Sequence, residues 1–204
     1  MLTEFAENKK TMKMKVTICA LLFQFCVFGQ TKEIISKFQV KSLPNCISYS
    51  ENDSISTSEG REYYEVDSLS LSPEKVKKFF TPKKKSKLDQ GFKGDYEYRF
   101  YAGNLIANKK SFYVLTYQRM FSPIVECAET FLCTINKKGS CISRVLIASS
   151  MYAGMGRFDD GQQFPYYEDV ESCIEKNLIV KVKLYGGNEI KYQIKTTGEI
   201  IQLK

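Results

Sequence analysis

The sequence predicts a mainly β domain in which an antiparallel meander closes as a small barrel or sandwich, with one short helix near residues 73–80. Two observations support this prediction. From residue 96 onward, short segments rich in Tyr, Phe, Val, Ile, Leu and Thr follow one another, as is typical of strands. Turn residues such as Asn and Gly separate most of these segments, at the spacing of an antiparallel meander.

The elements before residue 96 are less regular. Ile34–Val40 fits either a strand or a short helix, and the polar, serine-rich Ser48–Gly60 is typical of a loop. Within Glu62–Leu71, apolar and polar residues alternate well enough from Tyr64 onward to predict a strand.

One short helix is predicted at Pro73–Phe80. Ser72 is a suitable N-cap, proline is favoured at the first helical position, and Glu74 places an acid in the first turn. Pro82 closes the helix. The side chains expected to pack inward are Val76, Phe79 and Phe80.

Strands are predicted throughout the remainder of the chain. In Leu178–Leu184 the apolar residues Leu178, Val180, Val182 and Leu184 occupy alternate positions, which predicts a strand with one wet face. Gly139 ends the turn Asn136–Gly139 and can supply the positive φ that a hairpin turn requires. The predicted strands are Tyr96–Ile106, Ser111–Arg119, Thr130–Ile135, Cys141–Ser149, Leu178–Tyr185, Glu189–Lys195 and Glu199–Leu203.

The N-terminal region resembles a secretory signal peptide. Lys13 and Lys15 form a basic region, and the apolar run Val16–Phe28 is shorter than the roughly 20 residues that a membrane span needs. We therefore predict translation from Met12 or Met14, a signal peptide over residues 1–29 and cleavage near Gly29–Gln30. Residues 30–204 would then be a single mainly β domain, exported to a bacterial periplasm or to the medium and without a membrane span.

Composition excludes several classes of chemistry. The chain contains no histidine, which removes Ser-His-Asp and Cys-His catalysis and histidine metal sites. The net charge is +7 for the full chain and would be +5 without residues 1–29, which is ordinary for a soluble protein and does not indicate nucleic-acid binding. The basic run at residues 83–87 fits a solvated linker better than an anion-binding surface. We expect no enzymatic activity, no cofactor and no metal.

The cysteines are informative because an oxidising compartment permits disulfides. Seven are present, and cleavage after residue 29 would leave five. Five cysteines allow at most two bridges and one thiol, in arrangements that spacing alone does not separate. Buried thiols are an equally good interpretation, since free cysteine is among the most buried residue types. The candidates for disulfide bonding are Cys46, Cys127, Cys133, Cys141 and Cys173.

Residues 150–171 interrupt the strand pattern, and we predict a long loop there. Tyrosine and arginine between glycines are typical of adaptable contact surfaces. The alternative is a compact loop whose aromatic residues close one end of the barrel. The residues predicted to contact a ligand or partner are Tyr152, Arg157, Phe158, Asp159, Asp160, Tyr166 and Tyr167.

Three functions fit this sequence. The first is an exported, non-enzymatic binding module that uses the 150–171 loop to contact a protein or glycan of the cell envelope. The second is a small β-barrel carrier, which would enclose an apolar ligand in its interior. The third is a glycoside hydrolase with a carboxylate pair, which would have to converge across a cleft. Its acids would be drawn from Asp159, Asp160, Glu168 and Asp169.

Overall fold

A computed structural model of the protein describes residues 29–48, 69–82, 97–121, 127–157 and 163–204. The predicted signal peptide, most of the predicted strand Glu62–Leu71 and the basic run 83–87 lie outside these residues. The described part of the chain contains two short helices and ten strands. Helix α1 covers residues 29–35 and helix α2 is Pro73–Phe79. The strands are β1 Gln39–Val40, β2 Asn45–Ile47, β3 Arg99–Asn108, β4 Phe112–Phe121, β5 Cys127–Asn136, β6 Cys141–Arg157, β7 Gln163–Ile174, β8 Ile179–Lys183, β9 Glu189–Ile194 and β10 Ile200–Gln202.

The strands form one large mixed sheet, which confirms the mainly β class. Strand order is β1-β3-β4-β5-β6-β7-β8-β9-β10, and β2 pairs with β7 away from this path. The β1–β3 pair is parallel and the other pairs are antiparallel. Over the described residues, β1 and β10 at the two ends of the path do not pair with each other. Over these residues the sheet is not closed into a barrel, because closure needs the first and last strands to share hydrogen bonds. The alternative of a sandwich stays a prediction.

Helix α2 follows the prediction closely. The Ser72 hydroxyl accepts a hydrogen bond from the Lys75 backbone N–H at 3.3 Å, as an N-cap does. Val76, Phe79 and Phe80 are all buried, as predicted. Backbone and Ser72 hydrogen bonds lower the pKa of the Glu74 carboxyl. The ambiguous segment Ile34–Val40 contains the end of helix α1 and the two-residue strand β1.

Two apolar clusters occupy the two faces of the central strands. On one face, helices α1 and α2 pack against alternate residues of β4 and β5, such as Tyr117 and Phe131. On the other face, the intervening residues, such as Val114 and Leu132, pack against the C-terminal meander β8–β10. Strand β5 is consequently buried at every position except Asn136, because both of its faces are covered.

The turns and the C-terminal strands also agree with the sequence. In the β5–β6 turn the Asn136 side-chain oxygen accepts hydrogen bonds from the backbone N–H groups of Lys138 and Ser140, both at 3.0 Å. Gly139 has a φ of 81° there, as predicted. In β8, Val180 and Val182 are buried while Lys183 is exposed, which confirms the predicted wet face.

Candidate functional site

Residues 150–171, which we predicted to be a long loop, belong mainly to strands β6 and β7. The two strands pair continuously from Ser149 opposite Val170 to Arg157 opposite Gln163, with one register shift. The loop prediction was wrong because it gave more weight to the glycines than to the tyrosines and phenylalanines, which favour strands. Gly154 lies next to the register shift and has a φ of 147°, so this glycine marks a β-bulge within the strand.

The outer part of this hairpin extends beyond the main sheet. Pairing between β5 and β6 ends at Ala128 opposite Ser150. Pairing between β7 and β8 begins only at Glu171. Residues 151–157 and 163–169 therefore form a two-stranded ribbon, and neither of its outer edges is paired with another described strand. We refer to these two ranges as the ribbon.

Four of the seven predicted contact residues lie in the ribbon. Tyr152 is directly opposite Tyr167, and Tyr166 is opposite Gly154. The register thus makes Tyr152 and Tyr167 backbone partners across the two strands. Arg157 is exposed at the outer end of the ribbon, opposite Gln163. The other three predicted residues, Phe158, Asp159 and Asp160, lie outside the described residues.

The ribbon carries one of the most exposed large apolar side chains of the described residues. Met155 is 55% exposed, and it lies opposite Pro165 in the register. The exposed Met155 and Arg157 give this strand one apolar and one charged contact group. Methionine suits variable contact surfaces because its side chain is flexible and polarizable.

The carboxylates proposed for glycoside hydrolysis do not converge within the described residues. Glu168 and Asp169 are consecutive in β7, opposite Met151 and Ser150. Successive side chains of a strand point to opposite faces, so these two acids cannot flank one glycosidic bond. One side-chain oxygen of Asp169 is buried without a hydrogen-bond partner.

The cysteines separate into one disulfide and three buried thiols. Cys46 of β2 and Cys173 of β7 are bonded, with an S–S distance of 2.08 Å, and they face each other in the β2–β7 register. Cys127, Cys133 and Cys141 are buried and take no part in this disulfide. The sequence identified all five as candidates but could not choose a pairing, since the bonded pair is 127 residues apart in the chain.

The sequence analysis missed a cluster of buried charges and aromatic rings on the helix-covered face of the sheet. Arg119 of β4 and Glu129 of β5 are directly opposite each other. The Arg119 Nε donates to Glu129 Oε2 at 2.6 Å, and Nη2 lies 2.5 Å from the same oxygen. The Glu129 side chain is only 3% exposed and that of Arg119 16%, so this ion pair is largely removed from solvent.

A second arginine completes this cluster. The guanidinium carbons of Arg119 and Arg144 lie 5.0 and 5.2 Å from the centre of the Phe131 ring, a distance typical of cation–π contact. Arg144 Nη1 also donates to the Tyr117 hydroxyl at 2.8 Å. Burial raises the pKa of Tyr117, so this phenol stays neutral at physiological pH. The cluster joins β4, β5 and β6 but holds no nucleophile and base in contact.

The strand predictions contained a partial signal for this cluster. Arg119 ends one predicted strand, and Glu129 immediately precedes the next, so a cross-strand ion pair could have been considered. The register between them depends on a connection, residues 122–126, whose geometry the sequence pattern does not specify. The ion pair could therefore not be derived from the pattern alone.

Comparisons with known proteins identify no relative: no family model, no curated protein and no solved structure matches this chain. Over the described residues, no helix is long and apolar enough to cross a membrane. The same residues contain no group of three or more Cys, Asp or Glu side chains placed to hold a metal ion.

Proposed function

We propose that this protein is an exported, non-enzymatic binding module that uses the ribbon to contact a protein or glycan of the cell envelope. The observation that carries the proposal is the pairing pattern. Both outer edges of the ribbon are unpaired among the described residues, although it is continuous with a well-packed sheet. Unpaired strand edges offer N–H and C=O groups to another chain, and this is a common mode of peptide recognition.

Composition gives independent support. The ribbon contains three of the tyrosines, an exposed arginine and an exposed methionine, and Tyr, Arg and Met are residue types enriched at protein interfaces. A two-stranded hairpin is marginally stable by itself in water. Its anchorage in the large sheet would hold the contact residues in place before a partner binds.

The proposed export has its own structural support. A disulfide between Cys46 and Cys173 is the kind of bond that persists in oxidising compartments and is rare in the cytosol. The described part of helix α1 covers residues 29–35, and its Thr31 side chain is buried, at 2% exposure. A chain cut before Gln30 would thus retain the whole described part of this helix except Gly29.

The other two functions receive less support. A carrier of the kind first considered would use the interior of a closed barrel, whereas the sheet is open and both faces of its central strands carry packed side chains. A hydrolase would need converging carboxylates, and Glu168 and Asp169 diverge. The binding module is therefore the function that these contacts favour.

A variant with four alanines in the ribbon tests the proposal: Tyr152→Ala, Arg157→Ala, Tyr166→Ala and Tyr167→Ala. Val40→Ala is the control, since Val40 is 80% exposed in β1, an edge strand separated from β6 by three other strands. Both proteins are immobilised and exposed to solubilised envelope proteins and to an array of envelope glycans. We expect the ribbon variant to lose binding that the control retains, while both keep the far-ultraviolet circular dichroism of the wild type. If the ribbon variant binds everything that the control binds, the ribbon is not the contact surface.

A further inference from the structure

We infer that Cys133 and Cys141 form a second disulfide in the mature protein, which leaves Cys127 as its single thiol. The Sγ atoms of Cys133 and Cys141 are 3.3 Å apart and both residues are buried, at 0% and 9% exposure. Both belong to the cluster beneath helices α1 and α2. The occurrence of this bond in the cell rests on the proposed export, because the oxidant is found outside the cytosol.

A β-bulge creates this contact. Thr134 pairs with Ser143, but the next residue, Ile135, pairs with Cys141, so Ile142 is left over. In an uninterrupted register Cys141 would pair one position further along β5, and its side chain would lie on the opposite face from Cys133. The bulge therefore places both thiols on one face. Ile142 packs instead with the cluster on the other face.

No other pairing suits the remaining cysteines. Cys46 and Cys173 are bonded to each other. Cys127 is six residues from Cys133 on the same strand, a separation of about 20 Å at the rise of a β-strand, well beyond the reach of a disulfide. Cys133 and Cys141 are thus the only two of the three thiols shown in contact.

Bond formation requires only a small movement. An S–S bond is about 2.05 Å long, so the sulfurs must approach by about 1.2 Å from their present 3.3 Å. The hydrogen bonds given up are weak. Cys141 Sγ lies 3.6 Å from the Ser143 carbonyl oxygen and Cys133 Sγ 3.9 Å from that of Thr134, and thiols are weak donors.

The reaction is a thiol–disulfide exchange with a disulfide-bearing oxidant, a protein or a small molecule. The thiolate of one cysteine attacks the oxidant's disulfide and forms a mixed disulfide, releasing one thiol. The second cysteine attacks this mixed disulfide and releases the other thiol, so two electrons and two protons pass from the cysteine pair to the oxidant. Because both sulfurs are buried in the folded protein, we expect exchange to occur while the β5–β6 hairpin is still uncovered.

The test is peptide mapping of the full chain after refolding with oxidised and reduced glutathione. Free thiols are blocked with N-ethylmaleimide in denaturant, and the protein is then cut after Lys and Arg and after Glu. The cleavage sites place Cys127, Cys133 and Cys141 in separate peptides, 127–129, 130–137 and 139–144. We expect peptides 130–137 and 139–144 to be linked, and Cys127 to be alkylated. Cys133→Ser should raise the number of alkylated thiols in these three peptides from one to two.

The control variant is Cys127→Ser, which should leave the link between peptides 130–137 and 139–144 intact. If Cys133 and Cys141 are both alkylated while Cys46 is linked to Cys173, the inference is wrong. The same map of protein from the native host separates the two proposals. If Cys133 and Cys141 are linked in the refolded protein but every cysteine is reduced in protein from the native host, the proposed export is wrong and the second disulfide is not. A bonded Cys46–Cys173 with Cys133 and Cys141 both alkylated in the native protein would overturn the second disulfide alone.

Discussion

Removal of the Cys46–Cys173 disulfide should substantially lower the free energy of unfolding of the protein. The perturbation is the double variant Cys46→Ser and Cys173→Ser. Cys46 is exposed and Cys173 is half-buried, so the substitutions leave no cavity in the core. The loss therefore measures the crosslink itself, together with the anchorage of the short strand β2 that it provides.

The magnitude follows from the length of chain that the bond closes. Its two cysteines are 127 residues apart, and the loop-closure expression for a crosslinked unfolded chain gives about 5 kcal/mol at 25 °C for a loop of this length. Losses measured for native disulfides of small secreted domains are about 2–5 kcal/mol. Since domains are typically stable by about 5–15 kcal/mol, we expect the variant to fold but to unfold at a much lower urea concentration.

The assay is equilibrium unfolding in urea, followed by far-ultraviolet circular dichroism and by tyrosine fluorescence, because the chain has 13 tyrosines and no tryptophan. A loss of about 2–5 kcal/mol in the free energy of unfolding is expected. Reductant can lower the stability of the variant further only if Cys133 and Cys141 are bonded. Their separation of eight residues corresponds to a stabilisation of about 2.5 kcal/mol. A loss below about 1 kcal/mol in the variant, with both probes coincident, would refute the crosslink argument.

The remaining predictions concern the helix-covered face. Gly139→Ala should lower the free energy of unfolding in urea by at least 1 kcal/mol more than Gly187→Ala does. Both glycines have positive φ, so both substitutions strain the backbone. A Cβ on Gly139 would also lie 2.5 Å from another side chain, whereas one on Gly187 would meet open space. Equal losses would contradict this packing. Arg119→Met should lower the free energy of unfolding by about 3 kcal/mol, because it removes the guanidinium that pairs with the buried Glu129 carboxylate. Adding Glu129→Leu should restore much of this stability. A double variant no more stable than the single one would count against the ion pair. Because burial raises the pKa of Tyr117, its contribution to stability is complete below the unfolded pKa of about 10 and falls as pH rises above it. Tyr117→Phe should therefore flatten the loss of stability above pH 10, and an unchanged slope would refute the assignment.

Local sequence signals were sufficient for most individual elements of this fold. The capping serine and proline determined the start of helix α2, and alternation identified which side chains of β8 face the core. These features depend on residues within a few positions of one another, so a single sequence contains the information. The described strands β3, β4, β5, β8, β9 and β10 all overlap segments predicted from composition and turn residues.

Features that depend on distant residues were not predictable in the same way. Closure of a barrel depends on how all strands stagger against one another, and the alternating pattern of each strand is the same in an open sheet. The disulfide joins residues that are 127 positions apart in the chain. The ion pair of Arg119 and Glu129 depends on one register, which a connection of unspecified geometry determines.

Two bulges in β6 show most directly why the pattern of neighbouring residues could not predict which candidate residues lie opposite each other. The bulge at Ile142 places Cys141 on the same face as Cys133. Because of the bulge at Ala153, Tyr152 is opposite Tyr167 while Gly154, two residues later, is opposite Tyr166. A slip of one residue moves every following side chain to the other face, so each bulge determines which residues meet. Both occur in a strand of 17 residues, and a bulge increases the local twist of its strand. Each bulge depends on how β6 pairs with a neighbouring strand, and the alternation of residues within β6 does not specify that pairing.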